Sequence, residues 1–204
     1  MNGHHQAYGL DIRWHYVDPP NKLFRRVIRS PSYDITELSL SSYTMMREQG
    51  WRAYKALPIF PSRRFRHSAL FVRAGSRLVS GEQLKGRRIG VPDFHQTAAV
   101  WIRGMLQEEF GVKPEDIRWF TGRVERVKLP PAIANKVEYV GKEARLFDLL
   151  LEKKLDAVIY AHLTTPPVAE EAVRCLFPDA VDQEKRYFQK HGIIPIMHLI
   201  ALKE

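Results

Sequence analysis

Arg87-Arg88-Ile89-Gly90-Val91-Pro92, then Asp93-Phe94-His95-Gln96-Thr97, then a helix-forming stretch over 98–110 stopped by Gly111, reads as a strand, a turn and a long helix. A short apolar run ended by proline suits a buried strand, and a glycine suits the end of a helix. The same order extends outward in both directions. Toward the amino end, residues 10–17 alternate apolar and polar side chains, the pattern of a half-buried strand. Asp18-Pro19-Pro20-Asn21 turns the chain into a helix over 22–29, with Leu23, Phe24, Val27 and Ile28 at helical spacing and arginines outward. A strand over 33–38 follows, then a helix capped by Ser39-Leu40-Ser41-Ser42 and stopped by Gly50. This β-α-β-α order predicts an α/β fold with a parallel sheet.

Toward the carboxyl end, a short helix and turn at 80–86 precede the opening strand, and a strand over 117–120 follows the long helix. Residues 123–136 are polar and contain prolines, so they read as a surface excursion. A strand at 137–140, a helix at 144–152 and a strand at 157–160 repeat the alternation. Helices are expected over 168–176 and 181–191, and a last apolar strand over 193–202.

With 204 residues, 45% of them hydrophobic, the chain has material for one large domain or two small ones. No run nears the ~18 apolar residues of a membrane-spanning helix, and none of the first nine residues suggests an export signal. Cys175 is the single cysteine, which excludes an internal disulfide and fits a reducing, cytoplasmic setting. Between Arg174 and Leu176-Phe177 it reads as a small core residue. The net charge of +9 is dispersed over 25–29, 63–66, 85–88 and 123–128 instead of lying on one element. Dispersal argues against nucleic acid and for a small anionic partner. The eight histidines show no metal-ligand spacing, so no structural metal is expected.

One stretch concentrates chemistry: Ile59-Phe60-Pro61-Ser62-Arg63-Arg64-Phe65-Arg66-His67-Ser68, between apolar runs at 54–60 and 69–72 that read as strands. Arginine presents a planar fork of donors that matches a carboxylate two bonds at a time. Histidine moves protons near neutral pH. A solvated basic loop is the bland alternative, weakened by the apolar flanks.

Further motifs extend this stretch. They are Tyr33-Asp34-x-x-Glu37-Leu-Ser-Leu-Ser-Ser-Tyr43, Leu84-Lys-Gly-x-Arg-Ile-Gly-Val-Pro92, Thr97-Ala-Ala-Val-Trp-Ile-Arg-Gly104, Trp119-Phe-Thr-Gly122 and His191-Gly-Ile-x-Pro-Ile-Met-His198. Together they resemble the 4,5-dihydroxyphthalate decarboxylase family, which has the two-lobed α/β fold of type II periplasmic binding proteins. The Lys-Gly-x-x-Ile-Gly-Val piece occurs across that whole fold. The arginine stretch, the Trp-Ile-Arg-Gly helix and the Pro-Ile-Met-His strand are the specific part. Family members extend further at both ends. The resemblance therefore implies a nearly complete lobe over 73–195, and an incomplete one from 1–72 with the returning strand 196–204. An incomplete lobe exposes apolar sheet surface and invites self-association into a homo-oligomer.

The resemblance also implies where a ligand sits: between lobes, against strand-to-helix loops whose amides attract anions. Ser41 and Ser42 on one side, and His95 with Thr97 on the other, would then bracket a dicarboxylate; ordinary helix capping is the alternative for each hydroxyl. Arg64 and Arg66 are the carboxylate clamps, with Arg63 expected in solvent. Trp101 and Arg103 share the next helix, where Trp101 either stacks on an aromatic ring or packs in the core. The implied reaction is non-oxidative decarboxylation of 4,5-dihydroxyphthalate to 3,4-dihydroxybenzoate, without a cofactor. His67 and His198 are the candidate proton carriers, and His67, beside two arginines, is the easier to deprotonate. A solute-binding protein for a carboxylate is the competing function, and an inactive fragment a third. Residues 160–166 follow a second-lobe strand where this fold makes ligand contacts, and they depart from the family pattern.

Overall fold

The computed structural model describes residues 4–142, 144–161 and 166–204, with the side chains of 4–7 left aside. The elements in chain order are β1 (His4–Ala7), β2 (Leu10–Arg13), α1 (Pro20–Arg29), β3 (Ile35–Ser39), α2 (Leu40–Glu48) and β4 (Tyr54–Arg63). There follow β5 (Leu70–Arg73), β6 (Arg88–Val91), α3 (Thr97–Phe110), β7 (Arg118–Thr121), α4 (Pro131–Ala134) and β8 (Val137–Tyr139). The last are α5 (Leu146–Leu151), β9 (Ala157–Ile159), β10 (Val173–Cys175), α6 (Ala180–His191) and β11 (Ile196–Lys203).

Two sheets organise the molecule. The smaller has the order β3-β11-β4, and the larger the order β10-β5-β9-β6-β7-β8. Strands β9, β6, β7 and β8 are parallel, while β5 pairs antiparallel with both β9 and β10. Parallel pairing needs a crossover, and α3 supplies it between β6 and β7. Ile102 and Leu106 of that helix are fully buried against Ile89, Val91 and Trp119. Gly111, at φ 65°, ends it in the left-handed conformation that glycine adopts most readily. Gly90 keeps the opposite face close: a Cβ there would meet Leu155 Cδ1 at 2.6 Å. The smaller sheet packs Leu38, Leu199 and Ala201 against Phe24 and Val27 of α1.

The chain passes between the sheets twice, at 64–69 and at 192–195. The two crossings are zipped together: the Arg64 amide donates to the Pro195 carbonyl at 2.9 Å, and Ile196 pairs with Arg63. The arginine stretch is thus the hinge itself.

Three expectations change. The smaller sheet is wholly antiparallel, because β11 returns between β3 and β4. Strand β2 does not enter it. Tyr8 and Gly9, both at positive φ, make a two-residue turn that pairs β2 with β1 instead. The helix expected over 168–176 is a 3₁₀ turn, Glu170–Ala172, followed by β10. The open edge of β5 captures those residues, with Cys175 opposite Phe71. On the smaller sheet Ile35 and its cross-strand partner Leu202 are exposed, and so is Ile59. Among the described residues no helix is long and apolar enough to cross a membrane.

Candidate functional site

A cavity of about 600 Å³ lies at the hinge, walled by α1, the ends of β3, β4 and β11, and the loops after β6 and β7. Five arginines line it (Arg63, Arg64, Arg66, Arg123 and Arg126), against two aspartates, Asp18 and Asp93. That excess of positive charge in a partly desolvated space favours an anionic ligand.

The hinge supplies the first three arginines. Arg63 and Arg64 are exposed at the rim, while Arg66 is half-buried. Arg66 donates from Nε to Met197 Sδ at 3.2 Å and from Nη1 to the Ala161 carbonyl at 3.2 Å. Both acceptors are neutral, and among the described residues no carboxylate lies within ion-pair distance of it, Glu184 attracting it from further off. Burial, and then the neighbouring Arg64, lower its pKa to about 10, and it stays cationic at neutral pH.

The loop after β7 supplies the other two; most of 128–136 is exposed, as a surface excursion should be, but at Arg126 and Val127 that expectation is corrected. Val127 is buried, and the Arg126 side chain is only 5% exposed. Arg126 folds inward because Asp93, at the carboxyl end of β6 and 1% exposed, lies below it at 3.6 Å. The same carboxylate meets Arg123 at 3.4 Å and Arg25 of α1 at 3.4 Å, so one acid serves three guanidiniums from both lobes. Arg126 Nε and Nη1 are buried with no hydrogen-bond partner among the described residues. Burial lowers the Arg126 pKa; Arg25 and Arg123 add to this and Asp93 opposes it. Between these arginines, Glu125 accepts hydrogen bonds from the Phe94 amide at 2.6 Å and from the His95 ring. Burial pushes the Glu125 carboxyl up, but those bonds and the His95 charge hold it below the usual range.

The hydroxyls expected to face a ligand face each other instead. Thr97 Oγ1 lies 2.8 Å from Ser39 Oγ and 2.9 Å from Ser41 Oγ, and Ser41 donates to the His95 carbonyl at 2.5 Å. Ser42, fully buried, donates to Ser39 at 3.2 Å. The amino ends of α2 and α3 are therefore clasped across the lobes, and of this set only Ser39 and Thr97 border the cavity. None of these hydroxyls caps its helix.

Four further candidates lie away from the cavity. Trp101 donates to the Ile196 carbonyl at 2.9 Å, docking α3 on β11. Arg103 is buried over the Phe94 ring at 3.8 Å and donates to the Phe94 carbonyl at 2.7 Å. Burial brings it to about 10, opposed by Glu125. His67 is buried between Phe177 and Tyr187, with Nε2 3.4 Å from Glu109. The 3₁₀ turn at His67–Ala69 aims it under α6 instead of along the arginines. His95 is likewise buried beneath the cavity wall and occupied by Glu125.

His198 does border the cavity. It stands on β11 opposite Ser39 and Ser62, edge-on to Phe24 at 4.9 Å. Its Nδ1 is 2.5 Å from Glu37 Oε1, which orients the ring and leaves Nε2 for other partners. Glu37, Asp93, Arg25 and Arg126 escaped the sequence reading. The one available signal was the position of Asp93 just after strand β6, where open α/β sheets bind ligands. His162, Leu163, Thr164 and Thr165, in the departing segment, lie outside the described residues. Among the described residues no group of three or more His, Cys, Asp or Glu is placed to hold a metal.

A hinge joining two α/β lobes, with a cationic cavity at the crossing, defines a protein of the periplasmic-binding-protein-like class. The chain belongs to the family described as "ABC transporter, phosphonate, periplasmic substrate-binding protein", whose model matches residues 7–175. It is 36% identical over its full length to a 4,5-dihydroxyphthalate decarboxylase of Comamonas testosteroni. It is 40% identical over 78% of its length to one of Pseudomonas putida. It spans 64% of each of these relatives. These matches show the relationship that the motifs imply. In fold it is similar to the aliphatic sulphonate binding protein SsuA of Escherichia coli, with TM-score 0.55, 13% identity, and coverage of 90% of this chain and 51% of that one. A protein of Archaeoglobus fulgidus matches with TM-score 0.53 and 16% identity, over 89% of this chain and 55% of its own.

Proposed function

We propose that the chain catalyses the non-oxidative decarboxylation of a hydroxylated aromatic dicarboxylate, 4,5-dihydroxyphthalate to 3,4-dihydroxybenzoate, as a cytoplasmic step in aromatic-acid catabolism. The observation that carries this reading is the placement of Arg66 and His198 on one cavity, in a chain 36% identical to a protein of that activity. Each carboxylate of such a substrate has a hydroxyl para to it. Electron donation from that oxygen makes the carboxylate-bearing carbon basic. His198 Nε2 delivers a proton to this carbon, the carbon–carboxylate bond breaks, and its electron pair restores the aromatic ring as carbon dioxide leaves. Solvent returns the proton to His198, so one proton is consumed per turnover. Glu37 holds the ring in place and balances the imidazolium. Arg64 and Arg66 hold the substrate in register without moving protons, because guanidinium stays charged.

Incubation with 4,5-dihydroxyphthalate, followed by chromatography, should yield 3,4-dihydroxybenzoate from the wild type. Arg66→Ala and His198→Asn should yield none, while His67→Gln should retain turnover within about threefold, since it lies off the cavity. Equal product from His198→Asn would end this assignment. The second reading, a carrier for an anionic solute, is favoured by the family match. Tight binding of the substrate without any turnover would select it.

A further inference from the structure

The proton carrier and the hinge arginines leave one part of the cavity unexplained, the cluster around Asp93. We infer that Arg126, with Arg123 beside it, is a second anion subsite that binds the carboxylate retained in the product and so makes the cavity selective for dianions. The inference rests on the anionic-ligand reading above and extends it to residues that reading does not use.

Arg25, Arg123 and Arg126 bring three positive charges to within 3.4, 3.4 and 3.6 Å of a single carboxylate, Asp93. Asp93 is the one carboxylate in contact with all three, with Glu125 attracting Arg126 from further off, and Arg126 is almost wholly out of water with Nε and Nη1 unpaired among the described residues. A buried guanidinium without acceptors is costly, and native proteins keep one where something completes it. Asp93 is in no position to do so, being shared three ways. Nor is Glu125 free, because its oxygens already accept from the Phe94 and His95 amides and the His95 ring. Among the described residues no further acceptor completes it, so the completing group comes from the cavity that Arg123 and Arg126 both border. A planar carboxylate fits the guanidinium fork. The hinge arginines form a second cationic group on the same cavity, so a ligand with one anionic group satisfies only one of the two. A ring with two carboxylates satisfies both.

The test uses the 204-residue chain and two ligands that lack ring hydroxyls and so cannot react by the proposed chemistry: phthalate, with two carboxylates, and benzoate, with one. Calorimetric titration of the wild type should show phthalate binding at least about 10-fold tighter than benzoate, the effect of one charge-assisted contact. In Arg126→Gln that preference should shrink to within about threefold, chiefly through loss of phthalate affinity. An undiminished preference in folded Arg126→Gln, or no preference in the wild type, overturns the subsite. If circular dichroism shows Arg126→Gln unfolded, Arg123→Gln carries the comparison, and a preference equal to wild type overturns the proposal there too. Failure of the enzymatic reading looks different: selective phthalate binding lost in Arg126→Gln, with no carbon dioxide released from 4,5-dihydroxyphthalate, keeps the subsite and discards the reaction.

Discussion

Arg66 and Arg126 border the same cavity, one from the hinge and one from the loop after β7, and they are held by different means. Arg66 gives its donors to a thioether and a backbone carbonyl, and needs no acid to stay in place. Arg126 is fixed through Asp93, which also ties down Arg25 and Arg123 and thereby joins the two lobes. The first arrangement leaves a charge that can be altered with little effect on the fold. The second makes the site and the fold depend on one carboxylate.

Four substitutions probe that contrast, the largest effect first. Asp93→Asn should remove the counter-charge of all three guanidiniums and cost about 3–5 kcal/mol, as for other broken buried pairs. The thermal midpoint should fall by roughly 10 °C for a chain of this size; a fall under about 2 °C would show that the cluster does not hold the lobes. Arg66→Gln should lower kcat/KM for 4,5-dihydroxyphthalate by about 100-fold while the midpoint stays within about 2 °C. A large loss of stability there would erase the distinction between the two arginines. Glu37→Gln should reduce turnover about 10-fold, because the His198 ring loses the carboxylate that orients it. Undiminished turnover would remove Glu37 from the mechanism.

The smallest effect concerns Glu125, which sits between Arg126 and the His95 ring. Its folded carboxyl titrates below the ordinary value, so it binds fewer protons than the unfolded chain does in the acid range. Its contribution is complete above the unfolded pKa and is lost as pH falls through the folded one. Glu125→Gln should flatten the acid-side fall of the unfolding free energy, read from urea titrations, by about 1 kcal/mol or less. An unchanged slope would mean that the pairing with His95 contributes nothing.

Much of the fold was legible. Gly111 ends α3 where its position implied, and Arg88–Val91 is the buried strand that its apolar run and Pro92 suggested. Legibility failed where a distant partner outweighed local pattern. Val173-Arg174-Cys175 fits a helix on spacing, yet it pairs with Arg73–Phe71, a hundred residues earlier in sequence, because that edge was open. The site divided in the same way. The hinge arginines announce themselves as a cluster in one stretch, whereas Arg25, Asp93, Arg123 and Arg126 are scattered over a hundred residues and look like ordinary surface charge.

The chain alone determined what is local: where strands and helices begin and stop, that positive charge prevails, and that arginines and a histidine gather after Pro61. Only the tertiary structure decided which charges are buried and what each faces. It set His67 among rings and His198 beside Glu37, and it turned Arg126 inward onto Asp93. The physical reason is that burial and pairing energies depend on distances between elements remote in sequence, and no spacing along the chain encodes those distances directly.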